Sequence, residues 1–169
     1  DICPQERIIP LPIGIANSQW KHGNLDIWKN ILENTDLNNK HNNIYFNFKI
    51  ETNKNKRKSC YNIIKSKKIP NLKNTDYLNY LKTLSTYKYA ICPEGNGIDT
   101  HRLWECLYLK VIPICLHNHV TEYYSNIFPI VLLDDWNNID DNMLQLFYTN
   151  SNWDNYKNLS FDNLSPFQH

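Results

Sequence analysis

Two glycines, Gly95 and Gly97, lie in a short loop between a predicted strand and a predicted helix, among polar residues that could bind a ligand or take part in catalysis. The loop reads Pro93-Glu94-Gly95-Asn96-Gly97-Ile98-Asp99. At the carboxyl edge of a parallel sheet, glycines let the backbone approach a ligand, and the N–H groups and dipole of the next helix attract an anion such as phosphate. Neither a P-loop nor a dinucleotide fingerprint is present. Spacing alone therefore leaves two interpretations, a ligand loop or a plain turn.

The helix after this loop carries polar side chains in its first turns: Thr100, His101, Arg102 and Glu105. Arg102 and Glu105 are three residues apart and share one helical face, either as an ordinary ion pair or as two ligand contacts. In the second case Arg102 neutralises a diphosphate through its planar guanidinium, and Glu105 accepts hydrogen bonds from ribose hydroxyls. His101 is either a phosphate ligand or acid–base group, or a residue that satisfies a local hydrogen bond.

A second polar group follows residues 44–50, an alternating segment rich in aromatic and β-branched residues that is predicted to be a strand. Asn53 and Arg57 come after it, where they either hold the same diphosphate from the other side or form a solvated helix start. Near the other end of the chain, Asp134 and Asp135 are adjacent. We interpret them as a helix cap and solvated turn, not as a metal site.

The elements that position these residues alternate between strand and helix. The pattern predicts helices over 25–32, 54–67, 77–86, 100–109, 120–126 and 139–148, and strands over 44–50, 87–92, 111–116 and 129–133. This alternation predicts an α/β fold, a Rossmann-like parallel sheet with helices on both faces.

Length and composition limit the remaining possibilities. The 169 residues suit one domain, with 1–24 as a linker, 25–150 as the Rossmann-like domain and 151–169 as a carboxyl-terminal extension. Aromatic residues make up 13% of the chain, which excludes wholesale disorder. A net charge of +1 disfavours nonspecific nucleic-acid binding, and no apolar run has the length of a membrane helix.

The five cysteines, Cys3, Cys60, Cys92, Cys106 and Cys115, form no CxxC pair. An odd number of isolated cysteines suits neither a complete disulfide framework nor a zinc site. We therefore expect reduced, mostly buried thiols, which favour the cytoplasm as the compartment.

The segment from Tyr89 to Cys115 resembles the donor-binding signature of the exostosin-like glycosyltransferases, with the xylosyltransferase-like members as the nearest subgroup. The shared pattern is a strand ending in Pro93, a Gly-rich loop, His101-Arg102, then Glu105 and the strand residues Ile112-Pro113-Ile114. The resemblance extends over roughly residues 8–145. One departure is Lys110, where family members have a small residue or glycine.

The resemblance implies an inverting glycosyltransferase with the B-type (GT-B) fold, of which this chain is the carboxyl-terminal, donor-binding half. Its donor would be a UDP-sugar, with UDP-xylose as the subgroup's candidate, and its acceptor a glycan hydroxyl. No cofactor or metal is expected. An amino-terminal acceptor domain or a second subunit would be its partner. Relatives in animals are anchored in the Golgi, so the Golgi lumen is expected if an anchor lies upstream.

The resemblance also assigns roles to residues. Arg102 would hold the diphosphate, with Asn53 and Arg57 on its other side, and Glu105 would bind the ribose. The remaining residues of the donor pocket would be Gly95, Asn96, Gly97, Asp99, Thr100 and His101. Glu94 and His101 are the catalytic candidates, and the base is not assigned. Trp20, His22 and Trp136 are interpreted as packing residues, with base or acceptor contact as the alternative.

The sequence leaves two other functions open. The first is a non-catalytic module that keeps the nucleotide-sugar pocket but lacks an acceptor domain. The second is a doubly wound dinucleotide-binding enzyme, which the absence of a GxGxxG motif disfavours.

Overall fold

The computed structural model describes residues 10–151 and residue 153. The helices are α1 (Leu25–Asn34), α2 (Lys54–Ser66), α3 (Tyr77–Ser85), α4 (His101–Tyr108), α5 (His119–Ser125) and α6 (Asp141–Asn150). The strands are β1 (Asn42–Tyr45), β2 (Tyr87–Ile91), β3 (Ile112–Leu116) and β4 (Val131–Leu133). Short 3₁₀ helices lie at Lys21–Gly23, Ile50–Asn53 and Trp136–Asn138.

The strands form one parallel sheet in the order β1-β2-β3-β4. In its register, Tyr89 of β2 lies between Ile44 of β1 and Ile112 of β3. The predicted α/β class, with a Rossmann-like parallel sheet, is confirmed. The structure thus brings the carboxyl ends of all four strands to one edge of the sheet, because parallel strands run in the same direction.

Helices cover both faces of the sheet. The α4 face carries α1, α3, α4 and α5, and its core includes the strand residues Ala90 and Cys115. The α2 face carries α2 and α6, and its core includes Tyr89 and Ile91. Since side chains alternate along a strand, consecutive β2 residues pack on opposite faces. A strand buried on both sides explains why residues 89–92 and 111–116 are continuous apolar runs in the sequence.

The first strand is shorter than its sequence pattern predicts. Residues 44–50 alternate throughout, but β1 ends at Tyr45. Beyond it, the carbonyl of Phe46 accepts a hydrogen bond from Leu72 N, and the carbonyl of Asn47 accepts one from the Arg102 side chain. Both partners are distant in sequence, and the chain leaves the sheet where these two bonds form.

The helix caps largely follow the sequence. Asn53 caps α2, Asp76 caps α3, and Asp135 caps the Trp136–Asn138 3₁₀ helix, so its predicted capping role is confirmed. The last helix lies two residues later than predicted, because Asp140 accepts a bond from Met143 N and starts α6 at Asp141.

Four cysteines, Cys60, Cys92, Cys106 and Cys115, are buried and free, as expected. Cys3 lies outside the described residues, as do most of the predicted carboxyl-terminal extension and the linker before residue 10. In the part of the chain that the structure describes, no helix combines the length and apolar character that crossing a membrane requires.

Candidate functional site

A cavity of about 800 Å³ opens at the carboxyl ends of β1 and β2. The connection after β1 leads to α2 on one face of the sheet, whereas the connection after β2 leads to α4 on the opposite face. The two connections therefore diverge and leave a crevice, the arrangement in which α/β sheets bind ligands. Its volume lies within the range of roughly 300 to 1,000 Å³ that is typical of small-molecule sites.

Arg102, on the first turn of α4, is held in the wall of this cavity by aromatic rings. Its guanidinium carbon lies 5.5 Å from the ring centre of Tyr45 and 5.1 Å from that of Tyr80. One N–H group, on Nη1, donates to the carbonyl of Asn47. Burial acts to lower the pKa of Arg102, but the acidic groups of Tyr80, Tyr45, Cys92 and Glu105 outweigh it and hold the pKa above its usual value. Arg102 is a fixed positive charge.

Arg57, on α2, enters the cavity wall from the opposite face of the sheet. Its Nε donates to the Glu94 carbonyl at 2.8 Å, and its Nη1 donates to the Lys49 carbonyl at 2.9 Å. The pKa of Arg57 is lowered, first by burial and then by the charge of Arg102. The two guanidinium groups thus repel each other across the site.

Neither arginine has a carboxylate within 4.0 Å among the residues that the structure describes. Among residues 10–151 and 153, the ion pairs within 4.0 Å are Lys56 with Glu94 and His117 with Glu122. Of the two interpretations of Arg102 and Glu105, the ion pair within 4.0 Å does not form. The described hydrogen bonds of both guanidinium groups go to neutral carbonyls, so their positive charge at the cavity wall favours an anion there.

The start of α4 adds to this positive character. Its N-cap residue, Thr100, makes no side-chain capping bond, whereas side chains cap the other five helices of the described chain. The first N–H groups of α4 therefore lack the usual side-chain acceptor, and both the N-cap and the first helical residues line the cavity.

The Gly-rich loop forms the rim between the two arginines. A Cβ at Gly95 would lie 3.1 Å from Nη2 of Arg57, so glycine leaves room for that guanidinium. The Gly95 N–H group already donates to the carbonyl of Gly97, and only Asn96 and Gly97 keep the predicted role of presenting amides to a ligand. All three residues line the cavity.

Glu105 lines the cavity floor and is only 6% exposed. It accepts hydrogen bonds from the hydroxyls of Tyr77 at 2.9 Å and Tyr80 at 2.6 Å, and Trp28 Nε1 donates to Tyr77 at 3.2 Å. Burial, together with the negative charge of Glu105, raises the pKa of Tyr77, so its hydroxyl keeps its proton. Each carboxylate oxygen has one further lone pair, so ribose binding by Glu105 stays a prediction.

Asp99 and His101 attach the linker to the start of α4. Asp99 accepts hydrogen bonds from Ile13 N and from Trp104 Nε1, both at 2.8 Å. Nδ1 of His101 lies 2.8 Å from the carbonyl of Gly14. A carbonyl only accepts, so Nδ1 carries the proton and Nε2 is the basic nitrogen. Both residues line the cavity.

Two predicted site residues lie outside the cavity lining. Glu94 points to a neighbouring cavity of about 20 Å³, where its carboxylate lies 3.8 Å from Lys56 Nζ and 3.5 Å from Asn118 Nδ2. Asn53 caps α2 with its Oδ1, and its Nδ2 donates to the Gly95 carbonyl. Asn53 therefore positions the loop and does not face a ligand.

The site also contains three tyrosines that the sequence did not single out, Tyr45, Tyr77 and Tyr80, which surround Arg102 and Glu105. Trp20 and His22, interpreted from the sequence as packing residues with base or acceptor contact as the alternative, line the cavity. Tyr77 and Tyr80 are three residues apart on one helical face, which is the only local signal. Trp136, by contrast, is buried and packs in the core of the α2 face, as interpreted.

No group of three or more His, Cys, Asp or Glu side chains is arranged to hold a metal ion in the described ranges. Comparison of the chain with models of known protein families and with curated proteins finds no match.

Proposed function

We propose that the chain is the donor-binding domain of an exostosin-like glycosyltransferase with the GT-B fold, and that its cavity binds a nucleoside diphosphate sugar. UDP-xylose is the candidate donor. The observation that carries the proposal is the convergence of Arg57 and Arg102 on one cavity at the start of α4, with no described carboxylate within 4.0 Å of either guanidinium group.

In this proposal the diphosphate lies between the two guanidinium groups. Arg102 is oriented by Tyr45 and Tyr80, and Arg57 by two backbone carbonyls, so both are held in place before the ligand arrives. Preorganised donors cost little reorganisation on binding. Glu105, whose carboxylate is fixed by two tyrosine hydroxyls, receives the ribose hydroxyls on its remaining lone pairs.

The chemistry of transfer fits this charge distribution. An acceptor hydroxyl oxygen forms a bond to the anomeric carbon while the bond from that carbon to the diphosphate oxygen breaks. The diphosphate leaves with the electron pair, and Arg57 and Arg102 stabilise the negative charge that develops. The acceptor proton passes to a base. Nε2 of His101 is the candidate, since the Glu94 side chain lies outside the cavity.

The acceptor in this proposal is a glycan hydroxyl, which an amino-terminal acceptor domain or a second subunit presents to the donor.

The alternative function is a module that binds nucleotide sugars without transferring them. Only one of the two candidates for the catalytic base, His101, lines the cavity, so the non-catalytic alternative calls for its own experiment. Transfer or hydrolysis of a bound UDP-sugar would exclude it.

Thermal unfolding with UDP, GDP and NAD tests the proposal. A ligand that binds only the folded state stabilises it, so UDP at a hundredfold excess over its Kd should raise Tm by roughly 5 to 10 °C. Arg57→Ala should weaken UDP binding by at least about thirtyfold, because it leaves the diphosphate charge partly unpaired.

Lys58→Ala is the matched control. It removes one positive charge from an exposed position next to Arg57 on the same helix, outside the cavity lining. It should leave the UDP shift unchanged. Stabilisation by NAD but not by UDP would instead support a dinucleotide-binding enzyme, and the absence of any UDP shift would reject the donor-site assignment.

A further inference from the structure

Trp20 is an aromatic side chain that the fold leaves uncovered at the cavity. It is 61% exposed and lines the same cavity as the two arginines. Among the described residues its ring has no aromatic partner and its indole N–H donates to no acceptor. Large apolar rings normally gain stability by burial, so an unpartnered ring in a cavity wall is suited to a flat ligand.

The turn that presents Trp20 is tightly built. Trp20 N donates to the Asn17 carbonyl, and Gly23 N donates to the Trp20 carbonyl, both at 2.9 Å. A Cβ at Gly23 would lie 2.0 Å from the carbonyl oxygen of Ala16, which only glycine avoids. The turn then leads directly into the N-cap of α1. The backbone under Trp20 is therefore fixed by its own hydrogen bonds and close packing.

This turn is attached to the cationic part of the site. Asp99 and His101 bind the linker at Ile13 and Gly14, just before the turn. On its other side, the ring of His22 packs edge-on against Tyr77 with 4.9 Å between centroids.

Further aromatic contacts lead from Tyr77 to the guanidinium group of Arg102. The rings of Tyr77 and Tyr80 are 5.8 Å apart, and Tyr80 lies against Arg102. An unbroken series of packed side chains thus joins the Trp20 turn to the diphosphate-binding arginine.

We infer that Trp20 is the nucleobase-stacking residue of the donor site, so that the base of the nucleoside diphosphate lies on the indole ring while its diphosphate lies at Arg57 and Arg102. This inference rests on the proposed function. Stacking on an aromatic ring does not discriminate between bases, because every base has a π-face. Trp20 therefore supplies affinity for a nucleotide over a bare diphosphate, while discrimination between bases comes from other contacts.

Calorimetric titration of UDP and of inorganic pyrophosphate into the chain separates the two subsites. Wild type should bind UDP more tightly than pyrophosphate. Trp20→Ala should weaken UDP binding by at least about fivefold, the lower range for loss of one base stack, and leave pyrophosphate binding unchanged. Trp20→Phe should retain most of the UDP affinity. Leu146→Ala, at a position on α6 that is 66% exposed, is the control and should change neither ligand.

The outcomes are distinguishable. If pyrophosphate and UDP bind wild type equally, or if Trp20→Ala leaves their ratio unchanged, the stacking inference is wrong while the diphosphate site stands. If neither ligand binds wild type, the proposed function fails and the inference fails with it. A Trp20→Ala variant that loses pyrophosphate as well as UDP would also overturn it, because the residue would then act through the fold.

Discussion

Two partly buried basic side chains, Lys40 and Arg102, lie near opposite edges of the same sheet and differ in what they bind. At the amino edge, Lys40 Nζ donates to the carbonyls of Ser85 at 2.6 Å and Leu109 at 2.7 Å. These carbonyls belong to the carboxyl-terminal ends of α3 and α4. At the carboxyl edge, Arg102 donates to one carbonyl, and aromatic rings otherwise hold it against an open cavity.

The difference is that Lys40 stabilises the fold, whereas Arg102 is available to a ligand. Lys40 satisfies helix ends that would otherwise lack partners. Arg102 has five N–H donors, of which one is bonded to Asn47, and it lies in the wall of a cavity large enough for a nucleotide. If this comparison is correct, substitutions at the amino edge change stability and substitutions at the carboxyl edge change binding.

The largest effect on stability is expected at the amino edge. Lys40→Met keeps most of the aliphatic stem but leaves the carbonyls of Ser85 and Leu109 without their donor, which should cost about 2 kcal/mol of unfolding free energy. Urea denaturation measures this loss of unfolding free energy, and Lys82→Met, at an exposed position on α3, is the control. UDP affinity should be unchanged in the folded variant. A variant as stable as wild type would show that Lys40 is dispensable to the fold.

At the carboxyl edge, Arg102→Lys keeps the charge but removes the planar fork that fits between Tyr45 and Tyr80. We expect UDP to bind about tenfold more weakly, the equivalent of one charge-assisted hydrogen bond. Unfolding free energy should change by less than about 1 kcal/mol. Equal affinity for UDP in the two proteins, measured by calorimetry, would show that only the charge matters.

The pH dependence of stability should come from Lys40. Burial lowers its pKa to about 7, and the charge of Lys110 adds to this, against opposing effects of Cys106 and Asp36. The unfolded-state pKa is about 10.4, so between these values the unfolded chain holds a proton that the folded chain has lost. Stability should therefore rise between pH 7 and 8.5, by on the order of 1 kcal/mol.

The same titration distinguishes the two edges. Arg102 stays charged throughout this range, so UDP affinity should remain constant while stability rises. The rise should disappear in Lys40→Met. If stability does not rise over this interval, measured by denaturation at each pH, Lys40 keeps its proton in the folded state.

The smallest effect is expected at Lys110, which has a left-handed backbone with φ +53° in the turn after α4. Only glycine adopts this conformation without cost, so Lys110→Gly should stabilise the fold by about 1 kcal/mol. Lys110→Ala removes the same charge but keeps the strained conformation, and should give no such gain. Equal unfolding free energies for the two variants would exclude backbone strain as the cause.

The fold was predictable because its signals are local. Buried parallel strands produce apolar runs such as 89–92 and 111–116, and caps such as Asp76 mark helix starts. The end of β1 was not predictable, since it depends on Leu72 and Arg102, which are distant in sequence.

The candidate site was predictable only in part. The loop and α4 are contiguous in sequence, so Arg102 and Glu105 could be grouped, and the structure places both in the cavity lining. The direction in which the Glu94 side chain points depends on Lys56 and Asn118, and no local pattern reveals it. The sequence leaves Trp20 between packing and contact with a ligand, because its place in the cavity wall depends on hydrogen bonds between the linker and α4 that join residues more than 80 positions apart.

The most direct test of the central claim is calorimetric titration of UDP into the wild-type chain and into Arg102→Ala. We predict one UDP site per wild-type chain, and binding weakened at least about thirtyfold in the variant, as expected when a buried charge loses its partner. Equal UDP binding by the two proteins, or no binding by a folded wild-type chain, would contradict the assignment of the cavity as a nucleoside diphosphate site.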